Sequence, residues 1–515
     1  MRLADPRHTS GKLSMCEDRG KLDIIENRCR VRTFSALLVV LSAALGFGCG
    51  EPRSAAPEVA ETDGALQSRA TQNVVLIVLD ALRADRINAV RDGKPLMPNL
   101  AGFAATAWRF TNATCQETWT KPSVVSLLTS LYPQVHRVQF GIHNRITDDQ
   151  DMTADVVPDS IQTVASYLRL MGFHTVGIQA NANLQAQFGV DQGFDQYIYR
   201  PYPDYFRADK VTDTAVEMLG TTDPPFFVYV HYMDPHAPYD PPARYREMFT
   251  EPPLTDGDKT LLAQYNGYYL DHVFFRLGMK DARQMDSFSV SGKEHIRYLY
   301  DAEVRFADHE VGRLIETIES RAPDTVIIVT ADHGEELWEH GSVGHGKTVY
   351  GELTHVPLLM RFPGVEPQQT DVPAELIDIV PTVATYLGLD PSPDWQGTNL
   401  ISAVHRAGLR PRPMFSQAKG SLELAKLHLE SVTLGTDKLI VDHAAGGTAM
   451  LYDLSHDPDE KIDLATERSD KVDELRALLA DHAKTNEAHP KAASGPGKAT
   501  LDQKTIQQLK TLNYI

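Results

Sequence analysis

The chain has 515 residues and a formal net charge of −19 at pH 7, with 42% hydrophobic and 23% charged residues. This acidic balance argues against nonspecific binding to nucleic acid, which requires a basic surface. The composition is that of a globular protein, and the length suggests about two to four domains.

The N-terminal part differs in composition from the rest of the chain. An arginine-rich segment at residues 28–32 precedes an apolar stretch at 34–47, which is short for a bilayer span but typical of a signal-peptide core. We therefore predict a signal peptide at residues 1–48, a flexible linker at 49–72, and export to the bacterial periplasm or the cell envelope. A lipid anchor on Cys49 would be the only membrane attachment. The alternative is a cytoplasmic protein with a disordered start.

The first element after this leader is an unbroken apolar run at residues 73–79 that ends in Asp80. Such a run predicts a strand buried on both faces of a parallel sheet, and open α/β sheets bind ligands at the carboxyl ends of their strands. Thr120 then precedes Pro122 and an apolar helical stretch, which places its hydroxyl near the positive N-terminus of a helix. That position suits a group that holds an oxyanion or forms an alkoxide. The alternative is that Thr120 only caps the helix.

Two apolar runs in the middle of the chain predict two more buried strands that end at the same edge of the sheet. One lies at residues 174–179, with Asn181 just beyond its end, and the other lies at 226–231. A proline-rich loop with His236 follows the second strand, and we interpret it as a wall of the site. Residues 243–294 are polar and irregular, so we predict an insertion over the site that helps to choose the substrate.

A long predicted helix at residues 295–319 leads to a β-branched run that ends in Asp332 and His333. Together with Asp80 and Thr120, these two residues would offer three oxygen ligands and one nitrogen ligand to a divalent cation. Such a cation would help to ionise the threonine and to polarise the substrate.

The remaining elements complete the site and form a second, smaller unit. A glycine-rich loop at residues 341–347 offers His345 and Lys347 to an anion. Residues 418–454 predict several strands of a small antiparallel sheet, and residues 471–482 predict a helix packed on it. We interpret residues 491–515 as a flexible spacer and tail.

These motifs, in this order, resemble the sulfatase branch of the alkaline phosphatase superfamily, from about residue 73 to the C-terminus. The resemblance rests on Asp80 at a strand end, the helix start Thr120-Lys121-Pro122-Ser123, the run Asp332-His333-Gly334-Glu335, and Val356-Pro357 in a later strand. It implies an α/β fold whose mixed, mostly parallel central sheet is sandwiched by helices. It also implies a small C-terminal subdomain with an antiparallel sheet and a packed helix. We accordingly predict a catalytic domain at residues 73–405 and the C-terminal subdomain at 406–490.

The resemblance also implies roles for individual residues. Thr120 matches the nucleophile, His236 matches the histidine that contacts the ester oxygens or the leaving group, and Lys347 matches the active-site lysine, for which His345 competes. The predicted site residues are therefore Thr120, His236, Lys347 and His345 for catalysis, Asn181 and Lys121 for substrate binding, and Asp80, Thr120, Asp332 and His333 for the metal.

Several positions depart from the family pattern, among them Gln179 and Asn181, which occupy the positions of its lysine and histidine pair. Sulfatases proper carry a cysteine or serine at the position of Thr120, which is oxidised to formylglycine, and a threonine cannot give that group. Val124 occupies the position of the family's arginine. His333 stands where calcium-binding sulfatases usually have asparagine, and a nitrogen ligand suits Mn²⁺ or Zn²⁺ better than Ca²⁺. We therefore expect one divalent metal ion, Mn²⁺ or Zn²⁺ first and Ca²⁺ as the alternative.

These observations predict a metal-dependent hydrolase that cleaves a sulfate or phosphate ester through Thr120. The departures favour a phosphodiester or a phosphonate ester. We expect a small-molecule or glycan ester as the substrate and no nucleic acid as a partner. A phospho-headgroup transferase and a non-catalytic binding protein stay open as alternatives.

Overall fold

The computed structural model describes residues 71–140, 153–201, 206–262, 287–406, 411–419 and 427–506. The strands are β1 Val74–Leu79, β2 Val90–Arg91, β3 Lys94–Pro95, β4 Trp108–Phe110, β5 Ala113–Thr114, β6 Thr153–Val156, β7 His174–Gln179, β8 Gln196–Tyr199, β9 Phe226–Tyr232, β10 Val326–Ala331, β11 Glu336–Leu337, β12 Val343–Gly344, β13 Leu358–Arg361, β14 Gln368–Thr370, β15 Ala374–Glu375, β16 Met414–Ala418, β17 Leu429–Leu434, β18 Asp437–Asp442, β19 Thr448–Asp453 and β20 Gly497–Thr500.

The helices are α1 Pro98–Ala104, α2 Thr120–Thr129, α3 Pro133–His136, α4 Val164–Leu170, α5 Ala208–Thr221, α6 Ala243–Arg246, α7 Val290–Arg321, α8 Gly351–Thr354, α9 Ile379–Tyr386, α10 Leu400–His405 and α11 Ser469–Ala488. Short 3₁₀ turns lie at Ala84–Asn88, Ala182–Leu184, Ala186–Phe188, Leu376–Asp378 and Pro490–Ser494. Within the described ranges, no helix combines the length and the apolar character that crossing a membrane requires.

A central sheet of eight strands carries the fold, in the order β14-β4-β13-β10-β1-β9-β7-β8. Only β13 runs against the others, because it pairs antiparallel with both β10 and β4 while every other pairing is parallel. Strands β1, β9 and β10 are buried along their whole length. This agrees with their continuous apolar sequences, which suit strands covered on both faces. The predicted mixed, mostly parallel sheet is confirmed.

The helices that cover the sheet pack in two groups. The long helix α7 packs against α1 and α5, whereas α2 packs against α4 and α9. Helix α7 begins earlier than predicted because Ser289 caps it, accepting a hydrogen bond from the backbone amide of Gly292 at 3.0 Å. A buried apolar cluster joins the sheet and these helices into one core.

The C-terminal part is a four-stranded antiparallel meander, β16-β17-β18-β19, on which α11 packs. Alternate residues of its strands face the helix, and they form a separate apolar cluster with it. The predicted small sheet with a packed helix is therefore confirmed, and its first strand begins at Met414 rather than at residue 418.

Several predicted segments lie outside the described residues or differ from expectation. The signal peptide and nearly all of the linker lie outside them, as do residues 263–286 of the insertion and residues 507–515 of the tail. The segment expected to be a flexible spacer instead contains β20, which pairs antiparallel with β6. The local composition gave no sign of this pairing because its partner lies more than 300 residues earlier in the chain.

A buried ion-pair network joins the start of the C-terminal part to the turn before α9. Arg412 contacts both Glu375, at 3.2 Å, and Asp378, and the two carboxylates are fully buried. Tyr132 donates a further hydrogen bond to Glu375 at 2.9 Å. Removing the guanidinium would leave two buried acids without their cation, which is strongly unfavourable.

We therefore predict that Arg412→Met lowers the free energy of unfolding by about 3 kcal/mol, measured by urea denaturation. The control is Arg169→Met, which breaks the ion pair with Asp195 at a site where the arginine side chain is 58% exposed. This control should lose less than about 1 kcal/mol, because exposed pairs contribute little. Equal losses in the two variants would contradict the assignment of Arg412 to a stabilising buried network.

Candidate active site and metal centre

The register of the central sheet brings two acidic side chains together. Leu79 at the end of β1 lies level with Ala331 at the end of β10, so the next residues, Asp80 and Asp332, lie side by side. His333 follows Asp332, and the ligand atoms of these three residues lie within 4.8 Å of one another. All three are fully buried. The sheet edge predicted from the two apolar runs thus carries a compact acidic cluster.

Thr120 joins this cluster from the N-terminus of α2. Its Oγ1 lies 3.4 and 3.5 Å from the two carboxylate oxygens of Asp80 and 3.4 Å from Nε2 of His333. Ser123, one turn along the helix, donates a hydrogen bond of 2.6 Å from Oγ to the backbone oxygen of Asp332. The helix start is therefore fastened to the strand end, and the threonine hydroxyl faces the acids instead of only capping the helix.

Neighbouring groups orient the acids and the histidine. Asp332 accepts hydrogen bonds on Oδ1 from the backbone amides of Ala81, at 3.2 Å, and His333, at 2.9 Å. Asn181 donates a hydrogen bond of 2.7 Å to Oδ2 of Asp80, and its amide nitrogen lies 3.4 Å from Oγ1 of Thr120. The predicted substrate-binding residue Asn181 thus contacts the acid and the nucleophile candidate directly.

The ring of His333 is held so that Nε2 faces the cluster. Its Nδ1 lies 2.8 Å from the backbone oxygen of Gly334, which fixes the proton on Nδ1 and leaves a lone pair on Nε2. Gly334 must be glycine, since a Cβ there would lie 1.9 Å from the carbonyl oxygen of Glu352.

The electrostatics of the cluster fit a bound cation. Burial and the charge of Asp332 raise the pKa of Asp80 well above its usual value. Burial also lowers the pKa of His333 to about 4, which keeps its imidazole neutral. Oδ2 of Asp332 is buried and has no hydrogen-bond partner among the described residues. Two carboxylates, one neutral imidazole and one hydroxyl form a suitable set of ligands for a divalent metal ion.

His231 is a member of the cluster that the sequence analysis did not name as a site residue. Its Nε2 lies 3.7 Å from Oδ2 of Asp332 and 3.9 Å from Oδ2 of Asp80, and the ring is fully buried in β9. Neither ring nitrogen has a hydrogen-bond partner within the described ranges. The available signal was a histidine near the end of an otherwise apolar strand, at the same sheet edge as Asp80.

A second group of side chains extends outward from His333. The ring centre of His345 lies 4.5 Å from that of His333 and 4.8 Å from that of His236. Nδ1 of His345 lies 2.9 Å from the buried carboxylate of Glu335, which also accepts a 3.0 Å hydrogen bond from the hydroxyl of Tyr239. The structure therefore places His345 beside the predicted metal ligand His333 and His236 beside His345, and Glu335 orients His345.

The two predicted lysines have different surroundings. Lys347 donates a hydrogen bond of 2.9 Å to the backbone oxygen of Val343, and burial lowers the pKa of Lys347 to about 8. The ammonium group of Lys121 lies 3.7 Å from the ring centre of Phe188 and 3.5 Å from the carbonyl oxygen of Asp155. These contacts of Lys121 do not involve the acidic cluster, and its predicted role in substrate binding stays a prediction. Successive residues of a helix point in different directions, so the Lys121 side chain need not face the acidic cluster although the Thr120 side chain does.

The chain is similar to known proteins in sequence and in fold. The family model described as Sulfatase matches residues 72–389. The chain is 25% identical over 376 residues to the "Uncharacterized sulfatase YidJ" of Escherichia coli K12, covering 65% of this chain and 71% of that protein.

Two solved structures share the fold. One is BT1596, a 2-O GAG sulfatase, with a TM-score of 0.65 and 18% identity, covering 81% of this chain and 93% of the other. The other is a phosphonate monoester hydrolase from Silicibacter pomeroyi, with a TM-score of 0.61 and 21% identity, covering 84% and 100%.

We predict that His231→Ala weakens metal binding at least about tenfold, because residues that support metal ligands typically contribute that much. The measurement is the apparent dissociation constant for Mn²⁺ or Zn²⁺, obtained by competition with a chelator. His174→Ala is the control, since His174 is exposed at the start of the neighbouring strand β7. An unchanged constant in His231→Ala would show that this ring only fills space.

Proposed function

Since the chain belongs to the sulfatase family of the alkaline phosphatase superfamily and is a sulfuric or phosphoric ester hydrolase, we propose that it cleaves a phosphodiester or phosphonate ester through Thr120. The observation that carries this proposal is the position of the Thr120 hydroxyl among Asp80, His333 and Asn181. A hydroxyl that only capped the helix would have no reason to lie among these groups.

The residues that would hold the metal ion are Asp80, Asp332, His333 and the hydroxyl of Thr120. A bound divalent ion would supply positive charge that favours the threonine alkoxide and offsets charge on the reacting ester. The imidazole of His333 supports Mn²⁺ or Zn²⁺ over Ca²⁺, because calcium prefers oxygen ligands.

The protein side chains then divide the reaction between them. Thr120 loses its proton to water and Oγ1 attacks phosphorus, so that a bond from Oγ1 to phosphorus forms and the bond to the leaving oxygen breaks. His236 gives a proton to the leaving oxygen, and His345 stands beside it as the second proton carrier. In the second half, His236 takes a proton from water, which attacks phosphorus and releases Thr120.

The substitutions around the nucleophile support phosphate over sulfate chemistry. Val124, at the position of the family's arginine, is fully buried in α2. Gln179 and Asn181, at the positions of the family's lysine and histidine, carry no charge, and Asn181 donates to Asp80. The cationic groups expected around a terminal sulfate are therefore changed. The phosphonate monoester hydrolase among the fold relatives accords with this reading.

A sulfate ester of a glycan is the second candidate substrate. It is supported by the fold relative described as a 2-O GAG sulfatase. Cleavage through a plain threonine would then require water to attack sulfur in the second step, since the elimination route of formylglycine is absent. We propose export to the periplasm or the lipid-anchored envelope, on the basis of the apolar stretch at residues 34–47 and Cys49.

The test is turnover of aryl sulfate, aryl phosphate, bis-aryl phosphate and aryl phosphonate by the wild type and Thr120→Ala, each loaded with Mn²⁺, Zn²⁺ or Ca²⁺. We predict that the wild type prefers the diester or phosphonate and that Thr120→Ala loses at least about 10³-fold in kcat, because a nucleophile is removed. Mass spectrometry of the quenched wild type should find the phosphorus-containing adduct on the peptide that contains Thr120.

The control is Thr129→Ala at the other end of α2, where the hydroxyl donates a 2.6 Å hydrogen bond to the backbone oxygen of Val125. It should retain most of the activity. Preferential cleavage of aryl sulfate, lost in Thr120→Ala, would establish the second candidate substrate. Full activity in Thr120→Ala would overturn the nucleophile assignment.

A further inference from the structure

A second group of metal-ligating side chains lies on the C-terminal sheet, apart from the strand-end cluster. His428 immediately precedes β17, Glu430 lies within it, and His443 immediately follows β18. The backbone amide of His443 donates 2.9 Å to the carbonyl oxygen of His428, which extends the pairing of the two strands. Residues two apart on a strand share a face, and directly paired residues share a face as well. The sheet geometry alone therefore brings all three side chains together.

Each of the three residues offers a ligand atom, and these atoms lie within 4.8 Å of one another. Nε2 of His428 lies 3.3 Å from Oε1 of Glu430, and Nε2 of His443 lies 2.8 Å from Oε2. The two imidazole rings stack, with centres 4.4 Å apart and planes at 27°. Ligands about 2.0 to 2.1 Å from a tetrahedral zinc ion stand about 3.3 Å from one another. The observed separations are thus close to those of a tetrahedral site, and small side-chain rotations would complete it.

The surroundings leave room for a metal ion to enter. The side chains of His428, Glu430 and His443 are 34%, 17% and 40% exposed. Water can complete the coordination from the open side.

We propose that His428, Glu430 and His443 bind a divalent transition-metal ion of the Zn²⁺ type, at a site separate from the catalytic cluster. Two imidazoles and one carboxylate are a set of ligands that zinc prefers. The bound ion would tie the start of β17 to the end of β18, so its expected role is to stabilise the C-terminal sheet. Gln417 is paired with Glu430 across the sheet and donates 2.8 Å to Glu117 in the loop before Thr120. The proposed site therefore lies one strand away from Gln417, which supports the loop that leads into Thr120.

The proposal is tested with the full chain by equilibrium dialysis against Zn²⁺, followed by measurement of bound metal per chain. The wild type should bind one equivalent more than the double variant His428→Ala/His443→Ala, whether or not the catalytic cluster is occupied. Glu430→Gln keeps the shape of the side chain and should weaken the additional site at least about tenfold. Zn²⁺ should raise the melting temperature of the wild type more than that of the double variant.

The control is His456→Ala, because His456 is an 85% exposed histidine in the turn after β19 whose carboxylate neighbour is Asp453. This variant should bind as much Zn²⁺ as the wild type. Ester turnover should persist in the double variant, which separates the new site from the catalytic one. Equal Zn²⁺ content in the wild type and the double variant, when both show the same melting temperature in chelator, would overturn the proposal. A loss of bound Zn²⁺ in His456→Ala as large as that in the double variant would also overturn the proposal.

Discussion

The site depends on two carboxylates, Asp80 and Asp332, that are buried side by side where two parallel strands end. Two negative charges within 4.8 Å of each other in a medium of low polarity repel strongly. Each carboxylate also loses its hydration. The surrounding groups oppose this cost. The amides of Ala81 and His333 donate to Asp332, Asn181 donates to Asp80, and His231 lies against both. A bound cation would stabilise such an arrangement, so the proposed metal ion would support the folded architecture as well as the chemistry.

Much of this architecture could be predicted from the sequence, because the strong signals are local. Apolar runs long enough to be buried strands end in Asp80 and in Asp332, and parallel strands bring such ends to one edge. Thr120 before Pro122 predicted a helix start. What the sequence could not predict depended on direction or on distant pairing. Lys121 follows Thr120 in sequence, but a step of one residue along a helix turns the side chain by about 100°, so its contacts with Phe188 and Asp155 could not be inferred from Thr120.

His231 and the chain's tail could not be predicted for related reasons. A single histidine inside an apolar strand has no local pattern that distinguishes packing from function, and only the register beside β1 reveals its neighbours. Likewise, β20 reads as a spacer until β6 is placed next to it. The arrangement of His345 beside His236 and Glu335 also depends on two loops that are separate in sequence and adjacent in space. Sequence patterns identify which strand ends matter, whereas tertiary register decides which side chains meet there.

The C-terminal sheet has a consequence for how the enzyme becomes active during synthesis. Ser416 donates from Oγ to the carbonyl oxygen of Cys115, and Gln417 donates to Glu117, across about 300 residues of chain. The loop that leads into Thr120 is therefore held by a strand that leaves the ribosome long after it. Contacts of such long range form late in folding. A nascent or truncated chain that stops before β16 would contain all the predicted metal ligands and would still lack this support for the loop that leads into Thr120.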